Sequence, residues 1–308
     1  MKKFVIGFLM MALSFMVNAQ QLPKVDPSTV VGDIVTAGSS TVFPLTESIA
    51  ERFKKEGYKG NITIDSIGSG AGFERFCKTG ETDIANASRP IKSSEIANAA
   101  KLNPPRVPIE IRVGTDALAV VISKKNKFLT NLTKEQLAKA FSTANLWSDV
   151  DPKFPKKPIK RFIPGTDSGT FDYFVEEVFN KDKKPILEAK NTQLSEDDNV
   201  LVIGVEKDQY AIGFFGYAYF EENKKKLSAI GINGVVPSAE AVDKNTYMLS
   251  RPLFIYSDAT IMKTKPQVAS FINYYLTNVD AVIKKVGYFP APVETINKAK
   301  QALLDATK

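Results

Sequence analysis

The 308-residue sequence contains no histidine. This absence excludes Ser-His-Asp triads, Cys-His catalytic pairs and the usual zinc sites that use histidine. There is a single cysteine, Cys77, so no disulfide can form within the chain. Its setting, FERFCKTG, is typical of a helix end and predicts a packed, unreactive thiol. A GxxxxGK[ST] nucleotide loop is also missing, and GSGAGF fails to match GxGxxG at its last position.

Long hydrophobic runs are confined to the amino terminus. Lys2 and Lys3 precede the apolar run FVIGFLMMALSFMV, and small residues stand at the predicted cleavage position. The run is too short for a comfortable membrane span, and no later segment reaches about 18 apolar residues. Residues 1–19 are therefore predicted to be a signal peptide cleaved after Ala19. Because no cysteine lies near that position, we expect a periplasmic protein without a lipid anchor.

Charge and composition limit the classes of partner. The formal net charge is +7, but the lysines are scattered along the chain, as expected for a solvated surface rather than a nucleic-acid interface. We therefore expect no nucleic-acid partner. A mild positive charge still attracts small anions toward a cleft. A length of 308 residues with 44% hydrophobic residues suffices for two lobes with cores of their own.

Three short runs combine hydroxyl residues with glycines just before a predicted helix. They are AGSSTVFPL at 37–45, IGSGAGF at 67–73 and PGTDSGTFDYF at 164–174. Such runs offer backbone N–H groups, short O–H donors and the positive end of a helix dipole to an anion. One run alone is weak evidence. Three of them predict one ligand enclosed from several sides.

The order of the predicted elements indicates an α/β protein. Strand, hydroxyl-glycine turn and helix occur twice within the first part of the chain, and ligands are expected at the carboxyl ends of such strands. Thr133 and Gln136 form a predicted capping box at the start of a helix. The remaining predictions are a β-rich stretch at 107–123 broken at Gly114, a polar linker at 181–198, a buried strand at 251–257 and a helical tail at 265–308.

Taken in order, several runs closely resemble the periplasmic phosphate-binding proteins that serve phosphate ABC transporters. The resembling runs are AGSSTVFPL, GSGAGFERF, DIANASRPI, NLTKEQLAKAFS, LWSDV, PGTDSGTFDYF, GFFGYAYFEEN and LSRPLFIY. The resemblance implies a two-lobed type II periplasmic-binding fold, in which each lobe has a central mixed sheet flanked by helices and the chain crosses twice between lobes. We expect lobe 1 at 20–114 and 252–308, and lobe 2 at 115–251.

The same resemblance implies a solute-binding protein that closes on inorganic phosphate and delivers it to membrane permease subunits. It implies no enzymatic activity, cofactor or metal, and we expect a monomer. The predicted phosphate contacts are Ser40, Thr41, Val42, Ser69, Arg89, Asp167, Ser168, Gly169 and Thr170, with Ser39, Gly70, Ser88 and Asp116 as further candidates. For the serines and threonines the alternative is plain helix capping. For Arg89 it is an ordinary surface ion pair.

The charged groups depart from one branch of the family. That branch has an aspartate after the loop serine, where this chain has Arg89, and an arginine shortly before Ser-Gly-Thr, where this chain has Pro164. Arg161 replaces the arginine that is missing at Pro164 only if its loop bends back. Asp116 and Asp167 are the candidate acceptors for the proton of phosphate, with a slight preference for Asp167. Either aspartate has the alternative role of pairing with Arg89.

Such a carboxylate acceptor predicts selectivity, since sulfate carries no proton at neutral pH. Other readings stay open at this point. A receptor for sulfate, molybdate or phosphonate uses a similar set of donors. An adhesion or signalling protein on the same fold is another alternative. A secreted phosphoester hydrolase is disfavoured, because the sequence has neither histidine nor a spaced carboxylate cluster.

Overall fold

The computed structural model describes residues 21–166, 168–195 and 197–308. The predicted signal peptide at residues 1–19 lies outside the described residues. The strands are β1 Ile34–Gly38, β2 Ile62–Ser66, β3 Ile84–Ala87, β4 Ile109–Ser123, β5 Asn131–Leu132, β6 Lys160–Pro164, β7 Thr192–Ser195, β8 Ala211–Gly216, β9 Leu227–Ala229, β10 Gly231–Ile232 and β11 Ser250–Ser257.

Helices separate most of these strands, as expected for an α/β fold. The helices are α1 Phe43–Lys55, α2 Ser69–Glu74, α3 Ser93–Ala99, α4 Lys134–Ala140, α5 Trp147–Val150, α6 Gly169–Phe179, α7 Lys184–Leu187, α8 Asp198–Lys207, α9 Tyr217–Asn223, α10 Ala239–Asp243, α11 Ala259–Thr264, α12 Pro266–Val286 and α13 Val293–Thr307. The capping box predicted from Thr133 and Gln136 is confirmed at the start of α4.

Two strands carry the chain between the lobes. Within the described residues, nine strands form one mixed sheet in the order β2-β1-β3-β11-β4-β8-β6-β7, with β9 also paired to β4. The first part of β4 pairs antiparallel with β11, and its last part pairs with β8 and β9. At its other edge β11 pairs with β3. The antiparallel pair β4–β11 therefore forms the two crossings of the predicted two-lobed fold.

Each lobe has its own hydrophobic core. One cluster of buried side chains draws only on segments 34–113 and 253–306. In the other lobe, Leu118, Val120 and Ile122 of β4 belong to one cluster, while Ala117 and Val121 belong to another. Because successive side chains of a strand point to opposite faces, these two clusters lie on the two sides of the sheet of lobe 2. The exact lobe boundaries near residues 114 and 252 stay a prediction.

Two predictions about secondary structure are wrong. The segment 181–198 is not a continuous linker, because it contains α7 and the edge strand β7, which pairs with β6. The stretch through Gly114 is not broken either, since β4 is continuous there. Instead, the register with β11 shifts opposite this point, between Leu253 and Phe254. The buried strand is confirmed as β11, and the helical tail as α12 and α13.

The single cysteine lies in a packed environment. Cys77 is buried in a π-helical turn, Arg75–Thr79, that follows α2 and ends at Gly80. Burial raises the pKa of the Cys77 thiol to about 11, which leaves little reactive thiolate at neutral pH.

Within the part of the chain that the structure describes, no helix has the length and apolar character to cross a membrane.

Arg161 in β6 has a structural role in lobe 2. Its side chain is buried, with 1% of the residue exposed. The guanidinium donates hydrogen bonds to the carbonyl oxygens of Ala140, Ala144 and Lys190, at 2.6 Å for Ala140. Burial lowers the pKa of Arg161 to about 10. Its donors point into the lobe, so Arg161 does not compensate for the arginine missing before Ser-Gly-Thr.

Replacing Arg161 with methionine is expected to destabilise the protein by about 3 kcal/mol, because buried carbonyl oxygens would lose their donor and each such loss costs about 1–3 kcal/mol. Urea denaturation measures this free energy of unfolding. The neighbouring Lys160→Met removes an exposed ion pair with Asp208 and serves as the control. We expect the control to change stability by less than about 1 kcal/mol. Equal effects of the two substitutions would contradict the role given to Arg161.

Candidate functional site

The first hydroxyl run forms the turn between β1 and α1. Gly38 has φ +143°, and a Cβ atom there would collide with the carbonyl oxygen of Asn86 in β3. Only glycine therefore allows this approach of β3 to the end of β1. The N–H of Ser39 donates to the same carbonyl oxygen at 2.9 Å, and the Ser39 hydroxyl accepts from the N–H of Val42 at 3.4 Å. Ser40 is exposed and Thr41 is nearly buried.

The second run joins β2 to α2. A Cβ atom on Gly72 would lie 2.5 Å from Cα of Gly38, so α2 packs directly on the end of β1. This contact brings Ser69, the first residue of α2, next to the first turn. The Ser69 hydroxyl accepts from the N–H of Ser88 at 3.0 Å and lies 3.2 Å from the Ser88 hydroxyl. The loop after β3 is thereby tied to the start of α2.

The third run belongs to the other lobe. Ser168 is the N-cap of α6, and its hydroxyl accepts from the N–H of Thr170 at 3.2 Å. Ser168 therefore has the helix-capping role that is the alternative to anion binding for these residues. A Cβ atom on Gly169 would lie 3.7 Å from Oγ1 of Thr41 and 3.9 Å from Oγ of Ser40. The start of α6 therefore faces the first turn across the cleft. Asp167 lies outside the described residues.

These three segments border one cavity of about 390 Å³ between the lobes. Of the residues predicted from sequence, Ser39, Ser40, Thr41, Ser69, Gly70, Ser88, Arg89 and Gly169 line this cavity. The lining also includes Gly68, Lys92, Asp172, Tyr173, Glu176, Glu177, Lys181 and Arg251. Within the described residues, Val42, Ser168, Thr170 and Asp116 lie outside that lining. All of these contacts with an anion stay predictions.

Arg89 lines the cavity, but its guanidinium already has a carboxylate partner. Its Nη1 and Nη2 donate to the two carboxylate oxygens of Glu95 at 3.0 and 2.7 Å. The guanidinium also lies over the ring of Phe73, 4.9 Å from its centroid. Glu95, rather than Asp116, therefore holds the fork of Arg89. Burial tends to raise the pKa of Glu95, but the hydrogen bonds from Arg89 and from the N–H of Lys92, together with the charges of both residues, lower the pKa overall.

A second arginine, Arg251, lies deeper in the same cavity. Register places Arg251 of β11 directly opposite Asp116 of β4, and Nε donates to the Asp116 carboxylate at 3.2 Å. The two side chains are only 12% and 5% exposed. Burial raises the pKa of Asp116, and the charge of Arg251 opposes that shift. The pair is buried where the two crossing strands meet.

Arg251 contacts both lobes at once. Its Nη2 donates to the hydroxyl of Thr41 in the first turn. On the other side, its guanidinium lies 3.8 Å from the ring centroid of Tyr173 in α6. Nη1 lies 4.0 Å from a carboxylate oxygen of Glu176 on the same helix. Arg251 is therefore positioned to give positive charge to an anion held between the two helix starts.

Reasoning from sequence missed Arg251 as a functional residue. The run LSRPLFIY contributes to the family resemblance, but Arg251 is not among the site residues predicted from sequence. One signal was present, because an arginine at the start of an otherwise apolar buried strand requires a partner. The partner, Asp116, is 135 residues away in sequence, and only the strand register brings the two together.

Acidic side chains of α6 border the mouth of the cavity opposite the basic groups of lobe 1. Asp172, Glu176 and Glu177 line it, as do Lys92 and Lys181. Burial and the neighbouring charge of Glu176 raise the pKa of Glu177. The lining thus combines hydroxyl groups and Arg251 with further side chains of both charges.

Comparisons with known proteins agree with this architecture. Residues 25–279 match the model of the PBP superfamily domain. The chain is 45% identical over 285 residues to "Protein SphX" of Synechococcus elongatus, covering 87% of this chain and 80% of that protein. It is 34% identical over 281 residues to "Phosphate-binding protein PstS" of Staphylococcus saprophyticus, covering 89% and 85%.

Solved structures are similar as well. A crystal structure described as "a possible phosphate binding protein from Planctomyces limnophilus" is 37% identical with a TM-score of 0.83, covering 91% of this chain and 100% of that one. An "ABC-type phosphate transport receptor from Vibrio cholerae" has a TM-score of 0.64 and 24% identity, covering 83% and 99%, and shows the fold alone. The chain therefore belongs to the PBP superfamily, within the family that includes the PstS phosphate-binding proteins and SphX.

Proposed function

We propose that this protein binds inorganic phosphate in the cavity between its lobes and delivers it to the membrane permease of an ABC-type importer. The observation that carries this proposal is the convergence on one cavity of Arg251, the hydroxyl residues of the first two runs and Gly169 at the start of α6. The family supports the same ligand, since a relative of 34% identity is named a phosphate-binding protein.

The proposed contacts suit a tetrahedral oxyanion. Ser40, Thr41 and Ser69 supply hydroxyl donors, and the starts of α1 and α6 supply backbone N–H groups and the positive ends of two helix dipoles. Arg251 adds a guanidinium whose charge-assisted hydrogen bonds are stronger than those of neutral donors. Together they surround the ion from both lobes. Val42, Ser168 and Thr170 complete the proposed set through backbone N–H or hydroxyl groups.

Capture by closure of the two lobes is the proposed mechanism. Thr41 of lobe 1 and Gly169 of lobe 2 face each other across the cleft, and Arg251 contacts both lobes from the crossing strands. Phosphate placed between the two lobes bridges them and favours the closed state. Bending of the crossing strands opens the cavity. A closed, liganded form is the species that the permease would receive.

The remaining parts of the proposal concern location and assembly. The signal-like segment at residues 1–19 supports export to the periplasm, and we propose a monomer that acts as a receptor rather than as an enzyme. Selectivity is assigned to a carboxylate that accepts the proton of phosphate. Asp167 is the preferred proposed acceptor, and Asp116, which lies outside the cavity lining and pairs with Arg251, is the second candidate.

Calorimetric titration of the mature protein, freed of bound anion, tests the ligand. We expect phosphate to bind tightly, with sulfate and molybdate at least about 10³-fold weaker, because a buried acceptor left facing an unprotonated oxyanion is strongly unfavourable. Preference for sulfate or molybdate would assign the site to another oxyanion. Indifference to all three anions would refute the proposal.

Arg251→Gln is expected to weaken phosphate binding by about 10- to 100-fold, since a charge-assisted hydrogen bond contributes about 1.5–3 kcal/mol. Arg89→Gln is the matched comparison, and we expect a smaller loss because Glu95 already occupies that guanidinium. Because Arg251→Gln leaves Asp116 unpaired, the double variant Asp116→Asn/Arg251→Gln and urea unfolding of each protein separate binding from folding. A larger loss for Arg89→Gln would reverse the assignment.

The double variant Asp116→Asn/Asp167→Asn is expected to lower the ratio of phosphate to sulfate affinity by at least about tenfold, because the amides no longer require a proton on the ligand. Titration with both anions gives the ratio. Asp172→Asn, an exposed carboxylate on the rim of the same cavity, is the control. An unchanged ratio in the double variant would show that neither aspartate selects the ligand.

A further inference from the structure

A four-residue segment after α12 touches both lobes. This segment, residues 287–290, is called the strap. Gly287 ends α12 in the left-handed region with φ +96°, and its N–H donates to the carbonyl oxygen of Lys284. The chain then forms an isolated antiparallel bridge with Thr115 of β4 before α13 begins at Val293.

Phe289 attaches the strap to the crossing and to lobe 2. Its N–H donates to the carbonyl oxygen of Thr115 at 2.8 Å, and its carbonyl oxygen accepts from the N–H of Thr115 at 2.9 Å. Thr115 is adjacent in sequence to Asp116, the partner of Arg251. The ring of Phe289 lies 4.7 Å from that of Tyr217, the first residue of α9, and packs against the lobe 2 cluster.

Tyr288 attaches the strap to the first turn of the anion cavity. Its hydroxyl donates to the carbonyl oxygen of Thr41 at 2.8 Å. Burial raises the pKa of Tyr288, so this hydroxyl remains a donor at neutral pH. The contact spans 247 residues of sequence and reaches a residue whose side chain is held by Arg251. Thr41 is thus fixed through its hydroxyl by one partner and through its carbonyl by another.

The peptide group between Thr41 and Val42 links this contact to anion binding. A trans peptide is planar, and its C=O and N–H point in opposite directions. A hydrogen bond that fixes the carbonyl of Thr41 therefore also fixes the direction of the N–H of Val42. That N–H lies 3.4 Å from the Ser39 hydroxyl, within the turn that lines the cavity, and it is one of the proposed phosphate donors.

Space is available for the strap to move with the lobes. A cavity of about 520 Å³ lies beside it, with walls from both the strap and α9. A Cβ atom on Gly287 would lie 3.8 Å from the methyl group of Ala218, so α9 lies close to this end of the strap. A change in the angle between the lobes therefore alters the surroundings of the strap directly.

We propose that Tyr288 is a positioning residue for the anion site: the strap senses lobe 2 through Phe289 and orients the Val42 N–H through the bond from Tyr288 to the carbonyl of Thr41. Tyr288 itself does not touch the ligand. This inference rests on the proposed binding of phosphate in the cavity. It predicts that the affinity for phosphate depends on a hydroxyl outside the cavity lining.

Tyr288→Phe tests the proposal, because it deletes the donor and retains the ring. Titration with inorganic phosphate is expected to give about five- to tenfold weaker binding, the size of one lost hydrogen bond. The Val42 amide proton of the phosphate-bound protein should shift upfield in NMR spectra, since its hydrogen bond is less well aligned. Phe289→Leu, which trims the contact with Tyr217, should also weaken binding, by a smaller factor.

Tyr219→Phe is the matched control, because it removes a hydroxyl from a partly exposed tyrosine of α9 outside the strap. We expect it to bind phosphate within about twofold of the wild type, a change smaller than one hydrogen bond. If Tyr288→Phe lowers the urea midpoint but leaves both the affinity and the Val42 resonance unchanged, Tyr288 is merely structural and the inference is overturned. If the wild type itself fails to bind phosphate, the proposed function is wrong and the inference falls with it.

Discussion

The ion pair between Asp116 and Arg251 is the constraint on which the site depends. Both side chains come from the strands that connect the lobes, and register places them directly opposite each other. Two buried charges are unfavourable unless their remaining donors and acceptors are also satisfied. Arg251 meets this requirement by reaching Thr41 on one lobe and the ring of Tyr173 on the other. The strand pair that connects the lobes therefore also supplies positive charge to the cavity.

Close backbone approach is the second constraint, and it explains the placing of the hydroxyl runs. Without a side chain at Gly38, β3 comes within reach of the end of β1, and without one at Gly72, α2 packs on the same point. These contacts bring Ser39 and Ser69 to one edge of the sheet. The glycines in the runs thus determine where the hydroxyl groups lie, apart from any direct role in binding.

Local sequence signals were sufficient for much of the fold. The strand–turn–helix units, the capping box at Thr133 and the closing helices depend on periodicity and on residues a few positions apart, which a single sequence displays. The convergence of the first two runs and of Gly169 on one cavity also followed from such signals. The strand β7 within 181–198 was not predicted because it exists only through its pairing with β6.

Long-range register was beyond the same reasoning. Arg89 stood out in sequence, yet it pairs with the nearby Glu95, whereas Arg251 meets its partner through strand pairing over 135 residues. The contact of Tyr288 with Thr41 is of the same kind, since it joins the end of α12 to the beginning of the chain's first turn. A charged residue in a buried strand indicates that a partner exists. The sequence alone does not show which distant residue that partner is.

The register shift in the crossing pair has a mechanical consequence. Leu253 pairs with Gly114 and Phe254 with Arg112, so the ladder skips Val113. A bulge interrupts the ladder of hydrogen bonds and makes a strand easier to bend there. We therefore expect the axis about which the two lobes rotate to pass through this bulge, which lies on the lobe 1 side of Asp116 in β4. An axis so close to the ion pair lets the outer parts of the lobes swing widely while Arg251 and its carboxylate move little.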